Sequence, residues 1–232
     1  MAWYECNGGG SSPGPGPTPT FENYICNVGN CAFNSGHIHT ANTKIKFKAV
    51  IESWHGSYEW QVVFGVTNYN YQSNAFLFWG RTNNGHTKMA FCRTGVYVEG
   101  DYVEAPESST SANWAFTPCI FTAEGQTISW YREFDANTVR HLTAAGTVNG
   151  GIAPLAIFNN NKSTEAGGWT IVNDATAYMK LYWFEIYESD VLVHRFVPAY
   201  NNNQYCLYDE VTDTYIYDTV NNGANVRGFV AS

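Results

Sequence analysis

The sequence predicts an all-β protein, a two-sheet antiparallel sandwich preceded by a short extended N-terminal arm. Three observations predict it. Short runs of alternating or continuous apolar residues recur between turn clusters along residues 21–232. No stretch keeps the 3.6-residue period of an amphipathic helix. The chain is 16% aromatic, and its 16 Tyr and 8 Trp favour pleated, half-buried strands. At 232 residues the chain fits one large sandwich and is long enough to bury a core without disulfides or metal.

The arm is set apart by composition. Gly8 to Gly10, Ser11, Ser12 and the run Pro13-Gly14-Pro15-Gly16-Pro17 favour neither helix nor sheet. They separate a seven-residue head, Met1 to Asn7, from the rest. The division expected is therefore 1–20 as arm and linker and 21–232 as the sandwich. Trp3 and Tyr4 in the head gain little in water and are candidates for anchoring the arm to another protein.

The strands follow in order. Lys44 to Ile51 alternates, with Ile45, Phe47, Ala49 and Ile51 on one face. Trp60 to Val66 and Ala75 to Trp79 are aromatic and β-branched runs separated by a polar loop. Asn83-Asn84-Gly85 is a hairpin turn, since Asn and Gly tolerate positive φ. Phe116 to Thr122 and Thr127 to Tyr131 form another hairpin around Ala123 to Gln126. Ile152 to Phe158 reads as an apolar strand. Ala177 to Tyr187 and Val191 to Val197 flank Glu188-Ser189-Asp190, with Tyr182, Phe184, Ile186 and Phe196 expected in the core. Cys206 to Tyr208 and Tyr215 to Tyr217 close a set of about eleven strands.

The formal net charge of −8 argues against nucleic acid, which requires a basic surface. No stretch approaches the roughly 20 apolar residues of a membrane span, so membrane insertion is not expected. Residues 1–20 lack the basic start and apolar run of a secretory signal, and synthesis in a cytoplasm is expected. Six cysteines, Cys6, Cys26, Cys31, Cys92, Cys119 and Cys206, are scattered. Cys26 and Cys31 are near enough to pair, which a reducing cytosol opposes. Cys26, Cys31, His37 and His39 supply four zinc-type ligands, but their spacing matches no common zinc module. No metal and no cofactor is expected.

The C-terminal third carries a resemblance. Leu181-Tyr182, Ile186-Tyr187, Leu192-Val193, Phe196, Pro198 and Leu207-Tyr208-Asp209 resemble the closing motifs of laminin-G-like domains in phage and bacterial surface proteins. Val63-Phe64-Gly65 and Phe76-Leu77-Phe78 resemble the early paired strands of the same concanavalin A-like lectin/glucanase domains. Cys206 stands where that pattern has Gly. The start of the arm looks like that of some small phage virion proteins. The resemblance implies a concanavalin A-like jelly roll and a virion location, with other virion proteins as partners of the arm.

Because glucanases share the fold, catalysis needs testing. Their strand carries three alternating carboxylates, placed on one face to attack and to protonate. Here Glu133-Phe134-Asp135 offers two, and the third acid is missing. No nucleophile elbow occurs either. Asp209, Asp213 and Asp218 read as turn formers. No enzyme activity is expected.

Binding remains. Aromatic platforms beside polar groups suit sugars. The candidates are Trp54, Trp60, Tyr69, Tyr71, Trp79 with Arg81, and Trp183 with Glu185. The same residue types suit subunit contacts in a homo-oligomer. Three readings stay open. The first is a phage structural or adhesion protein that binds glycan. The second is a capsid or tail decoration protein without ligand. The third is a glycoside hydrolase.

Overall fold

The computed structural model describes residues 24–53, 61–67, 75–83, 86–93, 103–104, 117–163, 169–172 and 178–229. The expected arm, residues 1–20, lies outside them. Among the described residues there are strands and turns and no helix. In chain order the strands are β1 (Tyr24–Asn27), β2 (Phe33–Asn34), β3 (Thr43–Ser53), β4 (Gln61–Thr67), β5 (Phe76–Asn83), β6 (His86–Cys92), β7 (Val103–Glu104), β8 (Cys119–Glu124) and β9 (Thr127–Arg132). There follow β10 (Asp135–Thr143), β11 (Ala156–Ile157), β12 (Asn160–Ser163), β13 (Trp169–Val172), β14 (Tyr178–Glu188), β15 (Val191–Asn201), β16 (Gln204–Asp209), β17 (Thr214–Tyr217) and β18 (Val226–Phe229).

They form a sandwich of two sheets, as the sequence predicts. The larger runs β10-β9-β8-β3-β14-β15-β16-β17, with β1 joined to β14 and β18 to β1. The smaller runs β13-β12-β4-β5-β6-β7, with β11 bridging β4 and β2. Pairing is antiparallel except between β12 and β4, which run parallel from Asn160 opposite Gly65. β5 and β6 pair antiparallel with Asn83 opposite His86, and the expected turn at residues 84–85 lies outside the described residues. The next tight turn uses Gly125 at φ 55°.

The core lies between the sheets. Ile45, Phe47, Ala49 and Ile51 all point inward, as their alternation requires. Phe47 is central: it stacks on Phe121 at 4.7 Å and Phe184 at 5.6 Å within the larger sheet. It meets Phe64 at 5.8 Å and Phe78 at 6.3 Å across the interface. Such offset and tilted ring pairs add to the area they bury.

Three expectations are corrected. Phe184, Ile186 and Phe196 are buried, but Tyr182 is not. Leu181 pairs with Ala49 and Trp183 with Lys48, so Tyr182 is the extra residue of a β-bulge. The bulge reverses the alternation. Met179 and Leu181 therefore join the core ahead of it. Secondly, Ile152 to Phe158 is a strand only at Ala156–Ile157, and Ile152 is exposed. This segment instead packs on residues 35–39, with Leu155 donating to the His37 carbonyl at 2.9 Å. It reverses at the buried Phe158, whose φ of 68° is unusual for a bulky residue. Thirdly, short extra strands take the count well beyond eleven.

Candidate functional site

A groove opens beside the end of β17, with a volume of about 910 Å³. Its lining is Asn30, Thr170, Ile171, Thr219, Val220, Asn221 and Asn225. Asp218, buried behind the lining, holds one wall in place. Its carboxylate accepts from the backbone N–H of Ala32 and Val220 at 3.0 Å, Asn221 at 3.2 Å and Gly223 at 3.1 Å. These bonds lock the turn of residues 219–225, in which Asn222 and Gly223 both take positive φ. Asn30 is the hub of the floor. Its carbonyl accepts from the amides of Asn221 at 2.5 Å and Asn225 at 2.8 Å. Its side-chain oxygen accepts from the buried Asn159 at 2.8 Å. The Asn225 amide lies over Gly29, where a Cβ would come within 2.9 Å of it.

Hydrogen bonds thus tie Asn30 to the 219–225 turn without any ligand, and a side held in place in this way lowers the entropy cost of binding. No lining side chain is titratable. Amides and hydroxyls supply both donors and acceptors, while Ile171 and Val220 offer apolar contact. That combination suits a neutral, hydroxyl-rich molecule.

A second surface is the outer face of β3 and β14. Lys44 sits over Tyr187 at 5.5 Å, Lys46 over Trp183 at 5.9 Å and Lys48 over Tyr182 at 4.6 Å. Lys180 lies over Tyr24 at 5.3 Å. Carboxylates neutralise much of this face. Lys44 pairs with Asp190, and Lys48 with Glu133 at 2.7 Å. Burial, then the hydrogen bond to Glu185, pushes the Tyr187 hydroxyl up to about 12.

Among the described candidates, Trp183 and Glu185 share the outer face of β14, where Trp183 is half-buried and Glu185 is buried. Glu185 is already engaged: Tyr187 donates to it at 2.7 Å, and Arg195 stands 3.7 Å away. Trp79 is corrected from platform to packed residue. It is 5% exposed and clusters with Val62, Ala75, Leu77 and Cys92. Arg81 is on β5 beside it, its side chain outside the description. Trp54, Trp60, Tyr69, Tyr71, Trp3 and Tyr4 lie outside the described residues. Glu133 and Asp135 flank the β9–β10 turn, with Glu133 committed to Lys48.

Cys26 and Cys31 are not joined in a disulfide. Asp209, Asp213 and Asp218 do form turns, Asp213 by accepting from Tyr208 at 2.5 Å. Sequence reasoning missed the groove residues. Two signals pointed there: the turn cluster Asp218 to Gly223, and three consecutive asparagines, 159 to 161, that end an apolar run.

No protein-family model matches the chain, and no curated protein matches it in sequence. Among solved structures it is similar to a native heptameric SAP-like pentraxin from Limulus polyphemus. The TM-score is 0.51 at 8% identity, over 92% of this chain and 98% of that one. The chain has a pentraxin-like jelly-roll fold. At that identity the likeness establishes the fold and leaves the ligand to be argued from the site.

Proposed function

We propose that this protein is a lectin-like β-sandwich that binds a neutral glycan in the Asn/Thr groove, without turning it over. The observation that carries the reading is the groove itself, with its pre-organised amides and absence of titratable lining groups. Sugar hydroxyls donate to amide carbonyls and accept from amide N–H groups, and sugar C–H faces pack on Ile171 and Val220. Glycan-array binding followed by titration tests it. Changing Asn221 and Asn225 to Ala is expected to weaken binding by about tenfold or more, the worth of one or two hydrogen bonds. Trp183→Ala is expected to leave it unchanged. Loss of binding in Trp183→Ala with the groove variant unaffected would move the site to the outer face and refute the reading.

The virion role belongs to the same proposal. The domain is placed on a phage particle as an adhesion or decoration protein, with residues 1–20 attaching it to other virion proteins. Support comes from Trp3 and Tyr4 ahead of a Gly/Pro linker, and from the laminin-G-like closing motifs.

A further inference from the structure

We propose that Asn149 is a site of spontaneous covalent modification, in which its side chain closes on the Gly150 nitrogen and reopens as an isoaspartyl or aspartyl residue, while Asp218 shields Asn222 from the same reaction. Asn-Gly pairs stand at residues 7–8, 84–85, 149–150 and 222–223. Of these, Asn149-Gly150 and Asn222-Gly223 lie among the described residues. The chemistry is intrinsic to the pair: glycine has no Cβ to crowd its own nitrogen, and its backbone is free to turn towards the preceding side chain.

Water is the one co-reactant. The Gly150 nitrogen gives its proton to hydroxide and attacks Cγ of Asn149. The N–Cγ bond forms, the Cγ–Nδ2 bond breaks, and the leaving nitrogen takes a proton from water and departs as ammonia. The product is a cyclic succinimide. Water then adds at either ring carbonyl. Opening on one side gives aspartate. Opening on the other gives isoaspartate, whose main chain runs through the former side-chain methylene. Both products carry a carboxylate where Asn149 was neutral.

The two pairs differ at the nitrogen. The Gly223 N–H donates to the Asp218 carboxylate at 3.1 Å. Asp218 is buried and also accepts from the N–H groups of Ala32, Val220 and Asn221. A negative oxygen on that hydrogen opposes loss of the proton, and the bond must break before the nitrogen can turn on Asn222. The turn restrains the pair further, with Asn222 at φ 49° and Gly223 at φ 79°. Gly223 is itself buried, and a Cβ there would meet Gln204 at 3.2 Å.

Asn149-Gly150 lies in the connection between β10 and β11, outside any strand. Gly150 is exposed and Asn149 half-buried. The Asn149 carbonyl faces His39, but among the described residues no hydrogen bond holds the Gly150 N–H or the Asn149 side chain, the two groups that react. The backbone is held one residue later, where Gly151 donates to the His39 carbonyl at 2.6 Å. An isoaspartyl residue lengthens the main chain just ahead of that bond. The modification therefore falls on the seam between residues 149–155 and 35–39. The groove keeps its neutral lining, because the Asn-Gly pair in its own turn is the shielded one.

Peptide mapping by mass spectrometry, after incubation of the full chain in warm, mildly alkaline buffer, tests the proposal. The peptide holding Asn149 is expected to gain the mass difference between a hydroxyl and an amino group, with isoaspartate identified by fragmentation. Its rate should exceed that at Asn222 by about tenfold or more, the worth of the charge-assisted bond that Gly223 must give up. In denaturant, where Asp218 no longer holds Gly223, the difference is expected to vanish. Gly150→Ala should suppress the reaction at Asn149, and a Cβ at that position meets the His39 carbonyl at a tolerable 3.4 Å. No product at Asn149 in the native chain, equal native rates at the two sites, or a difference that persists in denaturant would overturn it.

Discussion

Phe184 and Tyr182 stand two positions apart on β14, and a single bulge gives them opposite fates. Phe184 is 1% exposed and touches Phe47 and Phe64. Tyr182 lies on the outer face beside Tyr24 and Lys48. Phe184→Ala is expected to cost about 3–5 kcal/mol, a core-cavity value. Tyr182→Ala should cost roughly 1 kcal/mol or less, since it removes ring contacts at a half-exposed position. Urea denaturation of the two variants checks the contrast, and equal losses would mean the bulge is misplaced. The alternation legible in the sequence identified Phe184, Ile186 and Phe196 correctly. It failed at Tyr182 because one inserted residue shifts parity, and nothing in the local residue types marks the insertion.

The segment joining β2 to β3 shows the same limit at the scale of an element. Its sequence reads as a loop, yet it is pinned on several sides. Gly151 donates to the His39 carbonyl at 2.6 Å, and Ser35 donates to that of Leu155 at 3.0 Å. His39 is 1% exposed, edge-on to Phe76 at 5.4 Å, and packed where a Cβ on Gly151 would come within 2.4 Å of its ring. Burial, with the charges of Arg93 and His37, lowers His39 to about 3 against the weaker pull of the Asn149 carbonyl. A histidine depressed in the fold stabilises it above the unfolded value near 6.5. That stability drains as pH falls from there toward 3, by roughly 1.4 kcal/mol per pH unit. Chemical denaturation between pH 7 and pH 4 should show this slope, and His39→Phe should flatten it. A slope unchanged in that variant would assign the acid sensitivity to other groups. In the sequence, His39 belongs to a Cys/His set whose spacing matches no zinc module; its burial beside Phe76 shows a neutral structural side chain.

For the whole molecule, we propose that the arm and the sandwich are separable. Deleting residues 1–17 is expected to leave the melting temperature nearly unchanged and to abolish incorporation into particles, because a Gly/Pro linker transmits little packing energy. A truncated domain that unfolds, or that still assembles, would refute the division. The sequence by itself determined the sandwich, since period-2 alternation and turn residues are local properties that each strand states for itself. It also determined the turn roles of Asp209, Asp213 and Asp218, which act within a few residues of their own position. Only the tertiary structure decided which strands pair, that β12 runs parallel to β4, and that Trp79 packs inward. Only it placed Asn30 with Asn221 and Asn225, and His37 with His194. These partners are more than 150 residues apart, and no local pattern encodes such a distance. The groove and the histidine pair exist because sheet pairing, a global compromise of burial and register, closes the chain ends onto one another.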